Sequence, residues 1–206
     1  MTRGLFVAFE GIDGSGKSTQ AKRVADALSA LLTFEPGDTK LGGALRQLLL
    51  HDGDVEPTSR AEALLMAADR AQHVETLIEP ALAGGQMVIT DRYSASTLAY
   101  QGFGRGLSLA ALGDVLDFAT SGLRPDLTIV VDCDLDVART RSSGTKADRL
   151  ERLDPSFHQL VRDGFLELAA NDSSFVVIDG NESLAAVTSA VDLAFTTRLG
   201  IEVSSS

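Results

Sequence analysis

The chain has 206 residues and a net charge of −11, from 18 Lys and Arg against 29 Asp and Glu, and it has one cysteine. That length allows one domain, or one domain with a small lid, and the acidity speaks against a nucleic-acid partner, because the chain as a whole repels polyanions. The lone Cys133 excludes an internal disulfide and fits a buried thiol in a reducing, cytoplasmic setting. No apolar stretch reaches the roughly 18 residues of a membrane span. Thr2-Arg3-Gly4 leads straight into the first apolar run, without the length or cleavage site of a signal peptide.

Leu5–Phe9 is continuously apolar, as a strand covered on both faces should be. It leads into Gly11-Ile12-Asp13-Gly14-Ser15-Gly16-Lys17-Ser18, a G-x-x-x-x-G-K-[ST] sequence, and then Thr19 and a helical pattern over Lys17–Leu32. Strand before and helix after are the setting this motif needs. Its glycines let the backbone wrap a phosphate, and its N–H groups and the helix N-terminus point at the anion. Lys17 adds positive charge at the β- and γ-phosphates, and the Ser18 hydroxyl suits Mg²⁺. The motif predicts nucleoside-triphosphate binding; the plainer alternative is a glycine-rich turn with a surface lysine. Asp13 is electrostatically unfavourable beside polyphosphate. A functional task is expected of it, either accepting from a sugar hydroxyl or holding water on Mg²⁺.

Leu31–Phe34 overlaps the end of the first helical pattern, so the second strand is expected to be short or poorly formed. Glu35-Pro36-Gly37 reads as a turn. Helical patterns follow over Gly43–Leu50 and Arg60–Leu82. In the second, Arg70 lies among Ala61, Leu64, Leu65, Ala68 and Ala71 and needs a ligand or a partner, Asp69 or a residue one turn away being the local choice. The third strand, Met87–Thr90, ends on Asp91-Arg92-Tyr93. Ligands of open parallel sheets bind beyond the carboxyl ends of strands, so Asp91 is placed to hold Mg²⁺ and Arg92 to clamp an acceptor phosphate.

Ser96-Thr97-Leu98-Ala99-Tyr100-Gln101-Gly102 offers the hydroxyls, phenol and amide that the sugar and base of a nucleotide need, although Ser96 alone would serve as a helix N-cap. A helix over Leu107–Thr120, a strand over Leu127–Asp132 and a helix over Leu135–Ser142 come next. Ser142–Asp148 is small and polar, a mobile lid over phosphates or an ordinary surface loop. Arg139, Arg141, Lys146, Arg149 and Arg152 gather around it, as a phosphate site or a solvated helix face. A helix over Pro155–Ala170, a strand over Phe175–Asp179 and a helix over Ser183–Thr196 complete the chain. Five strands alternating with helices predict an α/β fold with a parallel sheet and right-handed crossovers.

Taken together, Phe9-Glu10-Gly11 through Thr19, Glu35-Pro36-Gly37, Glu62-Ala63-Leu64-Leu65 with Asp69-Arg70-Ala71-Gln72, and Asp91-Arg92-Tyr93 resemble the bacterial thymidylate kinases. Ser96-Thr97, Ala99-Tyr100-Gln101-Gly102, Arg124-Pro125-Asp126 and Asp148-Arg149-Leu150-Glu151 extend the resemblance over nearly the whole chain. It implies a P-loop nucleoside-monophosphate-kinase fold: a five-stranded parallel sheet covered by helices, with a short lid near 140–150. It implies transfer from ATP to dTMP with Mg²⁺, in a homodimer. By the resemblance, Gly11 to Thr19 hold the ATP phosphates, and Lys17 bridges to the transferred group. Asp13 meets the acceptor sugar. Arg92 takes the acceptor phosphate, and Arg70 the thymine carbonyl and phosphate side. Tyr100 takes the sugar face, and Thr97 and Gln101 lie near the base, with Pro36, Met66 and Ser96 completing the acceptor set.

Gly14 stands where eukaryotic-type members carry arginine, so the transition-state arginine is expected from the lid, as Arg141 or Arg149. Three positions depart from the bacterial pattern: Phe34 for arginine, Asp38 for glycine and Met66 for phenylalanine. The alternatives are a related P-loop kinase for another monophosphate, or a nucleotide-binding protein without turnover. A guanine-reading Asn-Lys-x-Asp is absent from the sequence.

Overall fold

The structure is a computed structural model that describes residues 2–51, 55–143 and 147–203. In chain order the elements are β1 (Phe6–Glu10), α1 (Lys17–Leu28), β2 (Leu31–Phe34), α2 (Lys40–Arg46), α3 (Ser59–His73), α4 (Glu79–Ala83), β3 (Val88–Asp91) and α5 (Ser94–Thr97). Then follow α6 (Leu109–Thr120), β4 (Leu127–Asp132), α7 (Leu135–Ser142), α8 (Pro155–Asn171), β5 (Phe175–Asp179) and α9 (Leu184–Leu199).

The sheet is parallel throughout, in the order β2-β3-β1-β4-β5. The first strand is therefore central, and the chain leaves it between β3 and β4, where strand order reverses. That crevice is the usual ligand site of such sheets. Val7 and Phe9 face a core with Val24 of α1 and Val191 and Phe195 of α9. Phe6 and Ala8 face Ile78, Leu82 and Tyr93 on the other side. Both faces of β1 are fully buried, which is why its sequence is apolar without alternation.

The first helix ends at Leu28, four residues before the expected end, because Ser29 turns left-handed at φ 51° and closes the helix. Leu31 and Leu32 thus belong to the strand and not to the helix. The second strand is short, as expected, but not poorly formed: all four residues are in register with β3. The pattern over 60–82 is interrupted by a π-helical stretch, Val74–Ile78, between α3 and α4. A further π-helical stretch, Gln47–His51, extends α2.

The segment 96–102 is a helix that the sequence reading lacked: α5 continues as the π-helical Leu98–Gly104. Ser96 is inside this helix and is not its N-cap, which is Tyr93. Three of the seven residues Ser96 to Gly102 bear hydroxyl groups, two of them Ser or Thr, which hides a helical apolar period. Part of the lid segment, 144–146 with Lys146, lies outside the described residues.

Candidate active site

The loop after β1 has the tight geometry its glycines allow. Gly11 sits at φ +135°, and a Cβ there would lie 2.4 Å from the Val131 carbonyl oxygen. Gly14 sits at φ +81°, and a Cβ there would lie 2.3 Å from the Ala138 carbonyl oxygen of α7. Any side chain at 14, arginine included, would push α7 away. Helix α1 starts without a side-chain cap, which leaves its first N–H groups available to an anion. Ile12 and Ser15 are buried, whereas Ser18 and Thr19 are exposed on the first turn of α1. Lys17 is buried and donates from Nζ to the Ile12 carbonyl at 3.3 Å and to Asp13 Oδ1 at 3.1 Å.

Asp13 is the hinge of a second cluster. Arg92 Nη2 donates to Asp13 Oδ1 at 2.5 Å, and the Tyr100 hydroxyl donates to Asp13 Oδ2 at 3.1 Å. Arg92 Nη1 reaches the Gly11 carbonyl at 3.1 Å and Ser96 Oγ at 3.0 Å. Its guanidinium also stands over the Tyr100 ring at 5.1 Å, a favourable cation–π placement. Burial alone would raise the Asp13 carboxyl, but Arg92 and Lys17 hold it well below the usual range. Burial disfavours the Arg92 cation, yet Asp13, Tyr100, Asp91 and Glu10 together outweigh that and raise its pKa further. Arg92 takes this position with its backbone left-handed, at φ 75°.

Behind Arg92, the fully buried Glu10 organises α5. Its Oε1 accepts from the N–H groups of Tyr93 at 2.8 Å and Ser96 at 3.2 Å, and its Oε2 from the Ser96 hydroxyl at 2.6 Å. A carboxylate thus caps the helix from another strand. Burial pushes the Glu10 carboxyl up to about 7, against the Ser96 hydrogen bond and the Arg92 charge that lower it. The folded chain holds this proton more tightly than the unfolded one, whose carboxyl titrates at 4.5. Its contribution to stability is therefore full below that value and is lost as pH rises towards 7. Glu10→Gln should remove about 3 kcal/mol of the fall in stability over that window, measured as urea midpoints against pH. Identical slopes in the two proteins would refute the assignment.

Beyond Asp13 a cleft opens, lined by charged, polar and apolar side chains. Every residue expected on the acceptor side lines it: Asp13, Pro36, Met66, Arg70, Arg92, Ser96, Thr97, Tyr100 and Gln101. Arg70 is buried and pairs with Glu35 across the sheet end, not with its neighbour Asp69: Nε lies 2.7 Å from Glu35 Oε2. Nη1 donates to Thr97 Oγ1 and Nη2 to the Tyr93 carbonyl, each at 3.0 Å. Arg46, not singled out from sequence, joins the wall. It donates to the Pro36 carbonyl at 2.6 Å and stands 5.7 Å over the Phe34 ring.

The two lid-side arginines lie apart. Arg141 is exposed and donates from Nη1 to the Gly180 carbonyl at 2.7 Å, beside the β5–α9 connection. Arg149 points to the acceptor-side helices: its Nη2 lies 2.6 Å from Glu62 Oε2 and its Nε 2.7 Å from the Leu49 carbonyl. Glu62 is fully buried and also takes Arg105 at 3.1 Å and Gln101 at 2.9 Å. Burial would raise its carboxyl, but these donors hold it low. Neither Glu62 nor Arg105 was marked as a site residue from sequence. A signal for the first existed: Glu62, Met66 and Arg70 are four apart and share one helix face.

Comparison with known proteins agrees with this geometry. The thymidylate kinase family profile matches residues 9–191. A thymidylate kinase of Synechococcus sp. (strain RCC307) is 49% identical over 178 residues, covering 81% of this chain and 84% of the relative. A thymidylate kinase of Geotalea daltonii is 44% identical over 206 residues, covering 91% of this chain and 96% of the relative. The crystal structure of thymidylate kinase from Ehrlichia chaffeensis superposes with a TM-score of 0.75 at 32% identity, over 92% of this chain and 97% of that one. With a P-loop, an arginine-lined cavity sharing Asp13 with it, and relatives that match nearly end to end, this chain belongs to the thymidylate kinase family.

Proposed function

We propose that the chain transfers the γ-phosphoryl group of ATP to dTMP, giving ADP and dTDP. The observation that carries this reading is the shared wall: Asp13 and Arg92 border both the phosphate loop and the cavity that Arg70 enters. Lys17 and Arg92 meet at Asp13 Oδ1, so an acceptor phosphate on Arg92 would lie beside a γ-phosphate on Lys17. An oxygen of the acceptor phosphate attacks the γ-phosphorus, a new O–P bond forms, and the bridging P–O bond to the β-phosphate breaks, releasing ADP. The protein positions and neutralises charge; no covalent intermediate on the protein is needed. Asp13 holds both cations in place and releases them to phosphate oxygens as the ligands enter. Tyr100, which lines the same cavity, would meet the acceptor's sugar.

Mg²⁺ fits the same site. Asp91 Oδ1 is buried and has no hydrogen-bond partner among the described residues, and Ser18 presents an exposed hydroxyl on the first turn of α1. These two would hold the ion, whose contribution when bound is to neutralise charge on the β- and γ-phosphates. A homodimer is supported by the family and by apolar side chains on the packed pair α3 and α6, where Leu64 is 58% and Phe118 89% exposed. A cytoplasmic setting accords with the free, buried Cys133. Among the described residues no helix is long and apolar enough to cross a membrane. A lid-side arginine, Arg141 or Arg149, would have to leave its present partner, the Gly180 carbonyl or Glu62, to stabilise the γ-phosphoryl in transfer.

An ADP-release assay with ATP and Mg²⁺, run against dTMP, dUMP, UMP, CMP and thymidine, tests the reading. Strong preference for dTMP is expected, with thymidine inert because it brings no anion for Arg92. Equal turnover of the monophosphates would overturn dTMP as the acceptor, and ATP binding without acceptor-dependent release would overturn the kinase reading.

A further inference from the structure

Behind Arg70 runs a line of polar groups that phosphoryl transfer does not use. Asp38 Oδ2 lies 2.5 Å from Thr33 Oγ1, and Thr33 Oγ1 lies 2.5 Å from His73 Nε2. His73 Nδ1 is 2.8 Å from Glu35 Oε1, and Glu35 Oε2 is 2.7 Å from Arg70 Nε. Thr33, Glu35 and His73 are all buried, so water does not complete these contacts.

Proton counting constrains the line. Glu35, paired with Arg70, only accepts, so His73 Nδ1 carries a proton. Thr33 has one hydroxyl proton for two partners. If it points to Asp38, His73 Nε2 must donate to the hydroxyl oxygen; if it points to His73, the Asp38 carboxyl must itself be protonated. The two arrangements hold the same number of protons. Negative charge on both sides of the ring, from Glu35 at Nδ1 and from Asp38 through Thr33 at Nε2, favours the arrangement with the disputed proton on the ring. The surroundings agree. Asp69, one turn before His73, also faces Glu35, and burial and the Glu35 charge push its carboxyl up to about 6. Around the ring stand three acids, Glu35, Asp38 and Asp69, against the single guanidinium of Arg70.

We propose that Asp38, acting through Thr33, holds His73 as an imidazolium, and that this cation shares Glu35 with Arg70 so that Arg70 keeps its charge turned to an anionic acceptor. His73 and Asp38 are then positioning residues. Asp38 is also one of the three departures from the family pattern, so the device is written into this chain's own sequence.

The kinetic half of this inference rests on the dTMP reading above; the protonation half does not. Imidazole ¹⁵N–¹H correlation spectra of the full chain at pH 7, with His73→Gln to assign the signal, should show both His73 nitrogens protonated. Asp38→Ala, in a half-buried turn, should leave only one protonated. Thr33→Val, which removes the bridge, should do the same and guards against a local effect of the first variant. In Asp38→Ala the dTMP KM should rise about fivefold, the scale of one weakened charge-assisted contact, with kcat and the ATP KM within about twofold. A singly protonated His73 in the parent chain, or no change in either variant, overturns the imidazolium. An unmoved dTMP KM beside the expected spectra overturns the positioning role. Failure of dTMP turnover in the parent chain would instead fall on the functional reading.

Discussion

Lys17→Ala should lower kcat by at least about a hundredfold, the scale set by loss of one preorganised charge at a transferring phosphoryl group. The side chain is buried, and among the described residues its ammonium donates to the Ile12 carbonyl and Asp13. Removing it leaves Asp13 paired with Arg92 and Tyr100, so the fold should survive. Lys17→Met keeps most of the apolar stem and separates charge from packing. Steady-state kinetics with thermal unfolding of both variants decide the point. Near-normal kcat in either would remove Lys17 from the transfer step, and loss of folding in alanine alone would assign it a packing role.

Arg92→Ala should act on the other substrate. The dTMP KM should rise and kcat fall, together about a thousandfold in kcat/KM, with the ATP KM within about twofold. The reasoning is geometric: the guanidinium spans Asp13, Gly11, Ser96 and Tyr100 at the mouth of the acceptor cavity. Stability should fall by only about 1 kcal/mol, since Asp13 loses one cationic partner but keeps Lys17 and the Tyr100 hydroxyl. Equilibrium unfolding measures that fall. A loss confined to ATP affinity would put Arg92 in the donor site and reverse its assignment.

The parts of this molecule that were legible in the sequence are those whose causes are local. The P-loop is continuous, and its glycines, lysine and serine carry their roles wherever strand and helix flank them. The strands β1, β3 and β4, buried on both faces, announce themselves as apolar runs, and the partly exposed edge strands β2 and β5 were readable from similar short runs. The resemblance pointed to Arg70, Arg92 and Tyr100 together, and the fold brings all three to one cavity. What stayed hidden depends on partners far apart in the chain. Glu10 caps a helix 84 residues further on, and without it the polar stretch after Tyr93 has little reason to be helical. Arg149 belongs to Glu62, 87 residues away, so its place near phosphate could not be judged from the lid composition. Glu35 reads as part of a turn until α3 delivers Arg70 and His73 to its two oxygens.

The left-handed backbone of Arg92 sets two selective pressures against each other at one codon. A β-carbon in that region costs of the order of 1 kcal/mol or more, and glycine would occupy it freely. A lineage screened only for heat resistance or soluble yield would drift towards glycine at 92 and surrender on the way the arginine proposed to hold the acceptor. Arginine persists there only while someone, cell or experimenter, keeps counting turnover.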